Sequence, residues 1–249
     1  MRPIGMRRLL VVLALVPSVA LAGCGSRTGG SDDGAADGSG TPTGAPGQAW
    51  GDCTEEAFAA AGSPATTLRH DGWGADMQLK LPSDGPCAGA LVASGPGGVV
   101  GVDVGSDELD GSTISVLDAG PLGGGVLVRV DGGMHPRGGF QPHLYLVGPD
   151  AMREVTVNGH PVVPFVATDG GMAPLAVRCG DDTVEVLSAT TAEPPGVMLA
   201  WDVQRTTYTL SIDGSQEQGS ASLEEDVADP LLRRDMPELF DPARLFTGC

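Results

Sequence analysis

Two residue types are almost missing from this chain. Lys80 is its one lysine and Asn158 its one asparagine. A phosphate-cradling P-loop needs a Gly-Lys-Ser/Thr step, and Lys80 stands between Leu79 and Leu81 instead. There is no Gly-x-Ser-x-Gly nucleophile elbow and no His-Glu-x-x-His pair. No two cysteines have Cys-x-x-Cys spacing, so a structural zinc site lacks its thiolate pair. Aromatic residues make up 4% of the chain. A core needs most of them, which leaves few to stack on sugars. Positive charge is scarce as well: 14 Lys and Arg face 32 Asp and Glu, for a net charge of -18. Such a field repels nucleic acid and anionic headgroups. It favours solubility, and it attracts cations or a basic partner.

Apolar length is short where it matters. Residues 9–23 form the most apolar run, but they are too few to span a hydrocarbon core of about 30 Å, and Pro17 interrupts them. Arg2, Arg7 and Arg8 precede the run, giving the basic-then-apolar order of an export signal. The run ends in Leu21-Ala22-Gly23-Cys24. This resembles the lipobox of bacterial lipoproteins. The resemblance implies cleavage before Cys24, diacylglycerol on its sulfur, and residence on the outer face of the cytoplasmic membrane. Two or three acyl chains anchor stably where one is marginal. The preference for Arg over Lys, with abundant Ala, Gly and Pro, resembles coding in a GC-rich genome, as in actinobacteria.

Residues 25–48 contain no large apolar side chain. They cannot bury enough surface to offset ordering entropy, so they read as a tether. A Gly-rich coil of this length spans about 25–30 Å. The organisation expected is therefore 1–23 signal, 24–48 lipidated cysteine and tether, and 49–249 folded domain.

The domain should open with a short helix. Asp52 can cap it, Glu55 completes a capping box, and Gly62 ends it. Beyond this the apolar period becomes two. Val100, Val102 and Val104 alternate with small or polar residues, as do Ile114 and Val116, Val126, Val128 and Val130, and Val155 and Val157. Asn158-Gly159 then signals a two-residue hairpin. Further apolar stretches run over 162–167, 175–179, 184–187, 197–203 and 206–212. About eleven short strands fit between 75 and 213 with no helical pattern among them. That predicts an antiparallel all-β fold. Asp229-Pro230 and Asp241-Pro242 each place a capping acid before a proline, so short helical turns should follow. Leu231-Leu232 and Leu245-Phe246 would pack these turns back on the sheet. Glu224-Glu225-Asp226 reads as a helix start.

Residues 127–134 and 165–172 align as an internal repeat ending in Asp-Gly-Gly-Met. The second copy, with its flanks, resembles an FG-GAP-type β-propeller repeat. That implies a small degenerate propeller-like domain; a β-sandwich is the alternative. The family's calcium loop needs further acids that are missing here, so calcium does not carry over.

Setting Cys24 aside leaves Cys53, Cys87, Cys179 and Cys249. An even number in an exported chain reads as two disulfides. Three pairings are possible. Cys53–Cys87 with Cys179–Cys249 is favoured because each closes a local segment. No metal or other cofactor is expected. His135, His143 and His160 lack ligand spacing, and Asp103, Asp107, Glu108 and Asp110 match no calcium template. Arg137 and Arg205 look exposed, as local charge balance or a small-anion contact.

The functional expectation is a non-enzymatic binding domain on the cell surface. Its partners would be the membrane, through Cys24, and an unknown protein or small ligand, but not nucleic acid. The segment 131–141, with His135, Arg137 and Phe140, is the expected binding loop. The rivals are a cell-envelope hydrolase using dispersed carboxylates and a spacer.

Overall fold

A computed structural model describes residues 50–249 except 105–112, 118–121, 135–139, 158, 167–172, 181–182, 192–198 and 213–215. These residues belong to one compact unit. The all-β, antiparallel expectation holds, with short helices near both ends.

Three sheets carry the fold. Sheet I is a meander of β1 (Thr66–Leu68), β2 (Met77–Lys80), β3 (Ala90–Gly95) and β4 (Gly98–Asp103). Sheet II repeats the pattern with β5 (Thr113–Val116), β6 (Val126–Met134), β7 (Phe140–Val147) and β8 (Met152–Glu154). A two-stranded ribbon follows, β9 (Thr156–Val157) against β10 (His160–Pro161). Its turn contains the expected Gly159, at φ 79°. Sheet III comprises β11 (Leu175–Gly180), β12 (Thr183–Thr191), β13 (Ala200–Leu210), β14 (Gln216–Ala228) and β15 (Phe246–Thr247), in the order β14-β13-β12-β11-β15. β15 is the exception to the antiparallel rule, lying parallel to β11.

The sheets stack in chain order because sheet II is apolar on both faces. Val126, Val128, Val130, Tyr145 and Val147 share one core with Leu68, Met77, Leu79, Leu91 and Val100 of sheet I. The intervening Leu127, Leu144 and Leu146 share a second core with Val177, Val184, Tyr208 and Leu210 of sheet III. Alternate residues of a strand point to opposite faces. An unbroken Val126-Leu127-Val128 run is what a doubly covered strand requires. Gly123, at φ 56°, fits the turn before β6 so closely against β13 that a Cβ there would lie 2.1 Å from the Leu210 carbonyl oxygen. Propeller-like and sandwich arrangements both call for face-to-face sheets. Among the described residues there are three in a row and no closed ring.

The two outer faces are capped differently. Helix α1 (Glu55–Ala60) and the 3-10 turn Gly85–Cys87 cover the outside of sheet I, placing Cys53, Phe58 and Cys87 on Ala90, Val92 and Val99. Helix α2 (Asp229–Asp235) and the turns Pro237–Leu239 and Pro242–Arg244 cover sheet III. Leu232, Met236, Leu239 and Leu245 pack there on Ala176, Leu187, Ala189, Trp201 and Val203.

Local details differ from the sequence reading. Thr54, not Asp52, caps α1, accepting from the Ala57 amide at 3.2 Å. Ala228 occupies the cap position of α2, because the Asp229 carboxylate is engaged by Trp201 Nε1 (3.0 Å) and Arg233 Nε (2.8 Å). Asp241 does cap its turn, accepting from the Ala243 amide. Glu224, Glu225 and Asp226 do not start a helix but lie inside β14. The two repeat copies are described to different extents. The first forms most of β6, an inner strand of sheet II; of the second, Phe165 bridges Leu175 and Val166 packs on the outer core of sheet III, while 167–172 lie outside the described residues.

Candidate functional site

The expected binding loop is the hairpin joining β6 to β7. His135 and Arg137 lie outside the described residues. Phe140 opens β7, its backbone paired with Met134 across an irregularity that begins after Asp131. The stem below it is a regular antiparallel ladder. Asp131 pairs with Pro142, Val130 with His143 and Val128 with Tyr145.

Ion pairs brace this stem on both faces. On the sheet III side, Arg129 Nε donates to Asp131 Oδ1 at 2.5 Å, and Thr113 Oγ1 donates to Asp131 Oδ2 at 3.3 Å. The Arg129 guanidinium also lies 4.9 Å over the Phe246 ring. On the sheet I side, His143 Nδ1 meets Glu154 Oε1 at 2.7 Å. These positions face the same ways as Leu127 and Val128 but sit beyond the apolar cores. Half-buried charge there must be matched or it costs stability. The carboxylate of Glu154 fixes the orientation of the imidazole, as second partners of histidine do. The stem is thus a polar, ion-paired platform, and it takes in both ends of the expected loop: 131–134 belong to β6 and 140–141 to β7, which leaves only 135–139, outside the described residues, between the strands.

Buried charge elsewhere is structural. Among the described residues, Lys80 and Glu238 are the buried charged side chains. Glu238 is held by the Arg178 guanidinium, which also reaches Glu185 at 3.4 Å. This ties the turn Pro237–Leu239 to β11. Lys80 donates to main-chain carbonyls at the end of α1. A carboxylate pair for glycoside hydrolysis needs one acid kept protonated by its surroundings. Glu238 is the only buried acid among the described residues, and its carboxylate is committed to Arg178.

The cysteines pair as expected. Cys53 and Cys87 are bonded across 34 residues, and Cys179 and Cys249 across 70. Cys24 lies outside the described residues. Arg205 is less exposed than the sequence suggests: it is 30% accessible and bound to Glu224 at 3.1 Å. Asp103 is exposed at the end of β4; Asp107, Glu108 and Asp110 lie outside the described residues. His160 is in β10, apart from His143 in β7. Among the described residues no group of three or more His, Cys, Asp or Glu could hold a metal, and no helix is long and apolar enough to cross a membrane.

No protein-family model matches the chain, and neither does any curated protein or solved structure.

Proposed function

We propose that this chain is a membrane-anchored extracytoplasmic lipoprotein. Its β domain acts as a non-enzymatic binding module held off the outer face of the cytoplasmic membrane by the 25–48 tether. One observation carries the reading. Two disulfides use Cys53, Cys87, Cys179 and Cys249, and the one cysteine they do not use is Cys24, at the end of the lipobox-like Leu21-Ala22-Gly23-Cys24. Disulfides persist in oxidising compartments. A chain with two of them belongs outside the cytoplasm, where an acylated Cys24 would hold it.

The braced β6–β7 stem supports the 131–141 segment as the contact surface, since rigid scaffolds present binding loops. The net charge of -18 supports a partner other than nucleic acid.

Two measurements test this. Cys24→Ala should abolish metabolic labelling with palmitate and move the protein from the membrane fraction to the soluble one. A variant that stays in the membrane would end the anchor reading. Native pulldown with the parent chain should recover a specific partner that a 131–141 loop swap loses. If instead the purified protein cleaves wall polymer, the hydrolase reading replaces it.

A further inference from the structure

β14 is the outermost strand on one side of sheet III, and no strand among the described residues pairs with its outer edge. It runs for 13 residues, and every residue from Gly219 to Asp226 is exposed. An edge of that length presents a row of unused main-chain donors and acceptors, which other chains readily join. Leu223 stands in its middle at 61% exposure, above Val116, Leu199 and Leu231.

Charge narrows what could join it. Glu224, Glu225 and Asp226 follow Leu223, and of these only Glu224 has a cation, Arg205, among the described residues. The Asp226 amide holds a further acid beside this run, donating to Asp202 Oδ1 at 3.2 Å. Asp226 adopts φ 57°, an irregularity that sets Glu225 and Asp226 off from the ladder with β13. Asp202, Glu225 and Asp226 thus form an uncompensated acidic end beside an exposed leucine.

We propose that the β14 edge is a strand-addition site for an extended basic segment of another protein, one that alternates Arg or Lys with apolar residues. Main-chain pairing supplies the affinity in this mode, and alternate side chains supply the selectivity. Leu223 lies two residues before the bulge at which Glu225 and Asp226 together oppose Asp202. An apolar residue of the partner covers Leu223, and the partner's cations meet the acids gathered at that bulge. A second copy of this chain is the poorer occupant, because two molecules of net charge -18 repel each other. The same acids therefore block self-pairing and admit a basic partner, which is discrimination by both attraction and repulsion. The proposal concerns a surface other than the 131–141 hairpin and holds whether or not that hairpin binds anything.

The test uses the full chain in detergent and fluorescent peptides of alternating Arg and Val. The Arg–Val peptide should bind, and a Glu–Val peptide should not. An Arg–Val peptide with proline at its centre keeps the charge but loses a main-chain donor, and it should bind at least about tenfold more weakly. Glu225→Arg should weaken binding about fivefold. Leu223→Ser, which leaves charge intact, should weaken it also. Amide exchange should slow between Gly219 and Asp226 when the peptide is bound. Equal binding of the proline peptide would reduce the effect to general attraction and overturn the proposal. Protection confined to another strand would do the same. Self-association of the chain that the Arg–Val peptide disrupts would make a second copy the occupant and overturn it too.

Discussion

Lys80 Nζ lies 2.9 Å from the carbonyl oxygen of Phe58 and 4.8 Å from the centre of that residue's own ring. It also donates to the Ala61 carbonyl at 3.0 Å. The last carbonyls of a helix lack partners within it, and a cation there also meets the negative end of the helix dipole. In β2, Met77 and Leu79 face sheet II, which leaves Lys80 on the opposite face, under α1. The chain's sole lysine thus joins α1 to sheet I.

Replacing it should therefore loosen α1 selectively. Lys80→Met keeps the stem but leaves two carbonyls without their donor, at a cost of about 2 kcal/mol. Urea unfolding measures this. In the intact protein the Lys80 amine should react slowly with an acylating reagent, and quickly once urea is added. Mass mapping of the peptide that contains Lys80 reads both rates. Fast labelling in the native state would contradict the burial of 9% exposure.

The two disulfides should differ in worth. In the chain-entropy account, a crosslink stabilises more when it closes a longer loop, and both loops here correspond to about 4 kcal/mol. The Cys179→Ser, Cys249→Ser double variant should lose slightly more than the Cys53→Ser, Cys87→Ser one, since 70 residues exceed 34. Chemical denaturation under oxidising conditions makes the comparison. The reverse order would show that packing at α1, rather than loop closure, dominates.

Asp229 sets an acid-side limit. Burial would raise its pKa, but hydrogen bonds from Arg233 and Trp201 and the Arg233 charge outweigh it and hold the carboxyl below its ordinary value. A carboxyl whose pKa falls on folding contributes stability above its unfolded pKa and loses it as pH drops through the folded value. The parent chain should exceed Asp229→Asn by about 1 kcal/mol at neutral pH. The difference should shrink below about pH 4. Unfolding followed by tryptophan fluorescence at several pH values, in a Trp50→Phe, Trp73→Phe background that leaves Trp201, checks it. A gap that persists at pH 2 would mean that shape, not charge, is what the aspartate supplies.

The parts legible in the sequence were those with a local signal. Val126, Val128 and Val130 alternate because a strand does, and Gly159 turns the chain between β9 and β10 because a two-residue hairpin needs φ above zero. The cysteine pairing followed from even number and proximity. The rest depended on distant contacts. Glu224-Glu225-Asp226 reads as a helix start because an exposed edge strand needs no apolar period to mark it. Thr54 and Asp52 are both capping residues two positions apart, and only the path of the chain chooses between them. Asp229 could not be seen to leave its cap, since Trp201 comes from another strand. The 131–141 segment was singled out as a loop, but that its ends belong to β6 and β7, and that Arg129–Asp131 and His143–Glu154 brace them, depends on register between strands. Lys80 gave no sign of turning inward, because Leu79 and Leu81 flank a surface lysine just as often.

Chain order gives the two staples different timetables. A polypeptide that emerges N-terminus first from a ribosome or translocon can complete sheet I and close Cys53 to Cys87 early, with residues up to Asp103 in hand. Cys179 must wait until Cys249 arrives. Meanwhile the outer face of sheet III, with Trp201, lies uncovered, and the long β14 edge already stands beside it. The newborn chain is therefore stickiest late in its emergence, at the distal sheet, and that is where a folding helper would be needed.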